Sequence, residues 1–216
     1  MTTSAAAAIL DRFRRAHALL EGHFRLTSGL HSPGYLQCAL VLQHPREAEA
    51  LGAEIADRVR GLGVQTVLSP ALGGIVIGQE VGRALGVRAI FAERQDGRLT
   101  LRRGFALEPG EKVLVVEDVV TTGGSTRETI DLARESGASV VGAAAIIDRR
   151  PSTELGTALS SSKGSGSSAE LGTGGQQKID VPFHVLAEVS LPTYDPAACP
   201  LCLAGLPVVK PGSRAV

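Results

Sequence analysis

Between Val113 and Thr126 the chain reads VLVVEDVVTTGGST. Four apolar β-formers run into two adjacent carboxylates, two more valines follow, and a turn of glycines and small hydroxylated residues then gives way to a helical pattern. Val-rich strands of this kind suit a parallel sheet covered by helices. The turn falls at a helix N-terminus, where unpaired N–H groups and the helix dipole favour a phosphate. Glu117 and Asp118 at the strand end accept hydrogen bonds from sugar hydroxyls and can help to hold Mg²⁺. Phosphate at one end and hydroxyls at the other describe a phosphorylated sugar.

The rest of the chain repeats this grammar. TVLSP (66–70), VRAIFAE (87–93), 113–119, SVVGAAAIID (139–148) and FHVLAEV (183–189) read as strands. Helices are predicted over 4–20 (closed by Gly22), Pro45 to about Arg60, Gly74 to Leu85, and from the acidic motif to Ser136 with Gly137 as cap. Short strands alternating with longer helices mark βαβ units and a mostly parallel sheet. Residues 23–43 suggest an irregular strand–turn–strand, and 94–104 a polar, arginine-rich loop. Right-handed crossovers bring Ser69–Gly74, Arg94–Gly104, Glu117–Ser125 and Asp148–Arg149 to the strand C-terminal ends. Residues 156–175 contain twelve Gly or Ser. They bury too little surface to offset their ordering entropy, so 152–178 is expected to be a flexible insertion without chemistry of its own.

Several function classes are disfavoured. Lys+Arg and Asp+Glu balance at 22 each, which leaves no global field to attract nucleic acid or an anionic membrane. Trp is absent, and aromatics make up 3% of the chain, too few for a base-stacking platform. No apolar run approaches the roughly 18 residues of a membrane span. The N-terminal charges follow the apolar run, the wrong order for a secretory signal. Three cysteines make no disulfide framework. The expected location is the cytoplasm.

With these residues in view, VLVVEDVVTTGGST resembles the phosphoribosyl-diphosphate motif of type I phosphoribosyltransferases. FRLTSGLHSPGY (24–35), SPALGGIVIGQEVGRALG (69–86), FAERQDGRLTLRRGF (91–105) and IIDRRP (146–151) narrow the likeness to orotate phosphoribosyltransferases. That resemblance implies an α/β fold of the type I phosphoribosyltransferase kind. It would form one domain over 1–216, with a core over about 46–150 and 181–190 and a small hood from about 20–43 plus the C-terminal tail. It also implies transfer of ribose 5-phosphate from 5-phosphoribosyl 1-diphosphate to orotate, with Mg²⁺ as cofactor. A homodimer is implied, with the 94–104 loop acting across the interface.

Residue roles follow from the same likeness. Glu117, Asp118, Val119, Val120, Thr121, Thr122, Gly123, Gly124 and Ser125 would bind the sugar donor. Ala71, Leu72, Gly73 and Gly74 would wrap its diphosphate, glycine letting backbone amides come close. Thr121, Arg149, Leu26, Thr27, Ser28 and Tyr35 would hold orotate, with Arg149 pairing bidentately to its carboxylate. Arg94 and Arg98 are the expected catalytic cations beside Asp118. The loop has no Lys or His, so its cations stabilise charge but supply no titrating acid. Two rival readings stay open: another base, or a regulator that binds the sugar without turnover.

CPLC (199–202) supplies two ligands where a structural zinc site needs four. Cys38 and His184 are conceivable partners, but the expectation is two buried thiols in a terminal turn. His17, His23, His31 and His44 are expected to cap or pack, since none has ligand spacing to another.

Overall fold

The protein is described by a computed structural model covering residues 3–26, 29–149 and 178–211. The element order is α1 (Thr3–Arg15), β1 (Leu19–Arg25), β2 (His31–Leu36), α2 (Cys38–Leu42), α3 (Pro45–Val59), β3 (Thr66–Pro70), α4 (Gly73–Leu85), β4 (Arg88–Gln95), β5 (Arg98–Leu101), β6 (Lys112–Val120), α5 (Gly124–Glu135), β7 (Ser139–Asp148), β8 (Phe183–Glu188) and α6 (Pro200–Leu203). Thr27, Ser28, Arg150, Pro151 and residues 152–177 of the expected insertion lie outside the described residues.

Six strands form the central sheet in the order β5-β4-β3-β6-β7-β8. All neighbours are parallel except β4 and β5. The apolar run of β6 now has its physical reason. Leu114 and Val116 pack into a core with Ile9 and Phe13 of α1, Leu51 and Ile55 of α3, and Ile77 and Val81 of α4. Val113 and Val115 face the opposite way, into a second core with Ile130 and Ala133 of α5. Side chains alternate along a strand, so a strand covered on both faces is apolar at every position.

The helix after β3 covers one face and the helix after β6 covers the other. The chain reverses direction across the sheet between these two neighbouring strands. That is the topological switch point of an open α/β sheet, where a crevice opens beyond the strand C-termini. Ser69–Gly74 and Glu117–Ser125 border it. Gly78 lets α4 lie directly on β3, because a Cβ there would sit 2.1 Å from the Ser69 Oγ.

Beside the sheet, β1 and β2 form a two-stranded antiparallel hairpin. The tail returns to it: His31 bridges to Tyr194 and Phe24 to Val209.

Three element readings need correction. Helix α1 ends at Arg15 instead of residue 20, because His17 adopts a left-handed φ of 51°. The N–H of Ala18 donates to the Phe13 carbonyl and that of His17 to the Arg14 carbonyl. This is a Schellman ending made with a residue that does not advertise it. The stretch 23–43 also holds α2. The supposed loop 94–104 is largely a hairpin, in which β4 continues to Gln95 and returns as β5. Asp96 and Gly97 turn it with φ of 50° and 85°. Asp-Gly at two positive-φ positions is the turn whose twist suits paired strands.

Candidate active site

Glu117 and Asp118 end β6 on opposite faces, as the pleat requires. Glu117 points toward α5, where the Thr126 hydroxyl donates to its carboxylate. Asp118 points toward α2 and α4, and its Oδ1 accepts the N–H of Val119 at 2.9 Å. A Cβ on Gly73 would lie 2.8 and 2.9 Å from the Asp118 oxygens, so only glycine lets the 69–74 loop come this close. Burial pushes the Glu117 carboxyl up to about 7; the Thr126 hydroxyl opposes the rise and the Asp118 charge adds to it. Burial raises Asp118 as well, opposed by backbone N–H groups and by the Cys38 thiol.

The turn after β6 is built as its composition suggests. Gly123, with φ 84°, caps the first turn of α5 and has no side chain to fold over its amides, and the Gly124 N–H donates to the Thr122 hydroxyl at 3.4 Å. Thr121 and Thr122 are exposed at its mouth. Across the crevice, the 69–74 loop carries a cis Ala71–Leu72 bond and holds Leu72 exposed.

Arg149 follows β7, and its backbone N–H donates to the Val120 carbonyl at 2.8 Å. Its Nε is buried without a hydrogen-bond partner among the described residues. Burial lowers the guanidinium, while Tyr35 and Cys38 pull it back up. Burial raises Tyr35, with Asp118 and then Cys38 adding to the rise and Arg149 opposing it. Tyr35 from β2, Cys38 from α2, Asp118 and Arg149 therefore share one electrostatic neighbourhood. Cys38 is the participant that sequence reasoning missed. Burial and then Asp118 drive its thiol well above the ordinary range, which keeps it a neutral donor. No local pattern could have revealed it, since 80 residues separate the two.

The arginines of the β4–β5 hairpin lie elsewhere. Arg94 pairs with Glu128 of α5 at 2.8 Å and donates to the Gly97 carbonyl at 2.5 Å. Glu128 also accepts the N–H of Leu99 at 2.7 Å. Arg103 pairs with Glu93 at 2.7 Å. Arg94 and Arg98 line an open cleft of about 530 Å³ against α5. That cleft touches the phosphate turn along Thr122, Gly124 and Ser125, and its lining does not include Asp118, Thr121 or Arg149. Three of the four expected segments thus meet around Asp118, and the fourth meets the outer flank of the third. Leu26 accepts the N–H of Gly29 in the β1–β2 turn.

The reading of the CxxC and the histidines needs correction at two points: Cys202 is exposed, and His23 and His31 come within ligand distance of both cysteines. His23, His31, Cys199 and Cys202 present ligand atoms within 4.8 Å of one another, a group that does not include Asp118. Neither Cys38 nor His184 belongs to that group.

Comparison with known proteins agrees with this geometry. The family described as "Phosphoribosyl transferase domain" matches residues 40–159. Orotate phosphoribosyltransferase of Desulforamulus reducens is 48% identical over 208 residues, covering 96% of this chain and 97% of that one. The enzyme of the same name from Pelotomaculum thermopropionicum is 48% identical with the same coverage. Among solved structures, Mycobacterium tuberculosis orotate phosphoribosyltransferase in complex with inorganic phosphate aligns with TM-score 0.60 at 20% identity, covering 86% of this chain and 96% of that one. At that identity the structural likeness speaks for the fold alone. The near-full-length relatives decide the assignment: this chain belongs to the orotate phosphoribosyltransferase family.

Proposed function

We propose that this chain transfers the ribose 5-phosphate group of 5-phosphoribosyl 1-diphosphate to orotate, giving orotidine 5′-monophosphate and diphosphate for pyrimidine biosynthesis. The observation that carries the acceptor is Arg149. A half-buried guanidinium whose Nε is buried and unpartnered among the described residues is costly unless an anion pairs with it. A planar carboxylate on the acceptor base is such an anion, whereas an unsubstituted purine brings none.

The donor sits at the switch point. Amides of Thr121–Ser125, with the hydroxyls of Thr122 and Ser125, take the 5′-phosphate, and Val119 and Val120 shape the approach. Asp118 and Glu117 accept the ribose hydroxyls, and Ala71–Gly74 wrap the diphosphate. Mg²⁺ is the expected cofactor, and the donor set suits it: Asp118 offers hard carboxylate oxygens facing bare glycine backbone. When bound, the ion neutralises the departing diphosphate. Bond breaking at C1′ runs ahead of attack and leaves an oxocarbenium-like centre, as in glycosyl transfer. Asp118 stands nearest to that charge. Orotate, fixed by Arg149, Tyr35 and the hood backbone near Leu26–Ser28, attacks through N1.

A cation for the leaving group comes from Arg94 or Arg98 of a second subunit, in a homodimer. Within one chain Arg94 is held by Glu128 and lines a cleft that Asp118 does not line, which supports an origin across the interface. We place the enzyme in the cytoplasm. Its three cysteines are free, and no helix among the described residues is long and apolar enough to cross a membrane.

The test is an assay with Mg²⁺, the diphosphate sugar, and orotate or purine bases in parallel. Consumption of orotate alone is expected, and Arg149→Ala should chiefly raise the orotate KM. Binding of the sugar without turnover of any base would overturn the reading.

A further inference from the structure

The Cys/His group belongs to no step of the reaction above. His23 lies on β1 and His31 starts β2, so the two rings meet across the hairpin, 2.8 Å from Nε2 to Nδ1. Cys199 and Cys202 flank the first turn of α6 and bring their sulfurs to the same nitrogens. Cys199 Sγ is 3.6 Å from His23 Nε2, and Cys202 Sγ is 3.8 Å from His23 Nε2 and 3.3 Å from His31 Nδ1. A tetrahedral zinc with Zn–S of about 2.3 Å and Zn–N of about 2.0–2.1 Å separates N from S by about 3.6 Å and N from N by about 3.4 Å. The three N–S spacings of 3.6, 3.8 and 3.3 Å cluster around the first value, while the two nitrogens, 2.8 Å apart, stand closer than the second and would part slightly to admit the ion.

Two further features point to a metal. His23 Nδ1 lies 2.8 Å from the Leu206 carbonyl, which can only accept. The proton therefore sits on Nδ1, and the Nε2 lone pair faces the two sulfurs and His31. Metal-bound histidines are oriented by such a bond on the far nitrogen. Burial is also asymmetric. His23, His31 and Cys199 are 4%, 7% and 1% exposed, while Cys202 faces solvent and gives an ion a way in. A hydrogen bond between the two imidazoles accounts for the rings alone; it gives no reason for two free thiols to converge on them.

We propose that His23, His31, Cys199 and Cys202 form a structural zinc site that ties the C-terminal tail to the β1–β2 hairpin. Two soft thiolates and two imidazoles select zinc over magnesium, so this ion is chemically distinct from the one expected with the diphosphate. The fold has a use for it. The tail from 190 to 211 has a single short α-helix, and its Leu203, Leu206, Val208 and Val209 are exposed, so apolar burial holds it weakly. A four-ligand site supplies the missing folding energy. It also anchors the hairpin that carries Tyr35, four residues beyond His31, toward Asp118 and Arg149. The site is a positioning device and takes no part in bond making.

The experiment uses the full chain purified under reducing conditions. Elemental analysis should find about one zinc per chain. Exchange for cobalt(II) should give the intense visible bands of a tetrahedral ion together with thiolate-to-cobalt charge transfer. Cys202→Ser and His31→Ala should lose both signals, and Cys38→Ser, a thiol outside the cluster, should keep them. Removing zinc should lower the melting temperature and raise the orotate KM more than it lowers kcat. A reduced wild-type protein that neither contains zinc nor develops cobalt bands overturns the proposal, whatever the variants do. So does loss of the bands in Cys38→Ser with retention in Cys202→Ser. These signals are read without orotate turnover, so they stand or fall apart from the proposed reaction.

Discussion

Glu117 and Asp118 are adjacent in the chain yet sit in different surroundings, because one residue of offset along β6 exchanges the α5 side for the α4 side. In both, burial outweighs the hydrogen bonds that favour the charged form. The Glu117 carboxyl is raised from 4.5 to about 7, so its contribution to stability is complete below about pH 4.5 and is lost as pH climbs through about 7. Replacing it by an uncharged isostere removes that loss. In Mg²⁺-free buffer Glu117→Gln should gain on the wild type by on the order of 3 kcal/mol between about pH 5 and about pH 8. Denaturant midpoints at the two pH values measure this, and parallel curves would show that Glu117 is not desolvated. Asp118→Asn should leave folding intact but lower kcat/KM for the diphosphate sugar. Each charge-assisted hydrogen bond to a ribose hydroxyl that it weakens is worth about 1.5–3 kcal/mol, roughly 10- to 100-fold. Unchanged steady-state kinetics would remove Asp118 from the site.

At the scale of elements, the contact between α3 and α4 sets where the 69–74 loop sits, since that loop leads directly into α4. Gly52 of α3 lies against Glu80 of α4. An added Cβ would be 2.5 Å from the Glu80 Cβ and 2.8 Å from its carbonyl carbon, which is backbone and cannot swing aside. Alanine gains about 1 kcal/mol of helix propensity over glycine. Overpacking costs about 1–3 kcal/mol and should win. Gly52→Ala is therefore expected to lower the melting temperature and shift the diphosphate loop, while Gly61→Ala, where a Cβ meets nothing within 4 Å, should be neutral or mildly stabilising. Thermal melts of the pair decide it; equal effects would mean the two helices part freely. Much at this scale was legible in advance. Strands 66–70 and 139–148 were read at their observed bounds, since a short apolar run ending at a proline or a charge marks a buried strand. Helix α1 was overextended because left-handed His17 gives no sign of its conformation in the sequence. The hairpin at Asp96–Gly97 is hard to read locally because β5 is only four residues long and its polar, arginine-rich surroundings carry the composition of a loop.

For the whole molecule, the proposed dimer turns the position of the hairpin into an experiment. One subunit type carries Arg94→Ala and Arg98→Ala, and the other carries Asp118→Asn. If the hairpin serves the neighbouring site, mixing the two impaired proteins and allowing subunit exchange raises activity above that of either alone, because each mixed dimer assembles one intact site. No recovery after demonstrated exchange would confine the arginines to their own chain.

Local pattern alone determined the five parallel strands of the sheet, the helices that alternate with them, and the strand–loop–helix at Val113–Thr126. Those features follow from side-chain periodicity and from where glycine is needed, and both are written within a dozen neighbouring residues. Tertiary structure decided the rest: Cys38 beside Asp118, Arg94 held by Glu128, and His23 and His31 meeting Cys199 and Cys202. Each joins residues dozens to more than a hundred positions apart. Such meetings depend on how the chain returns across the sheet, and periodicity along one segment carries no record of which distant segment will lie against it.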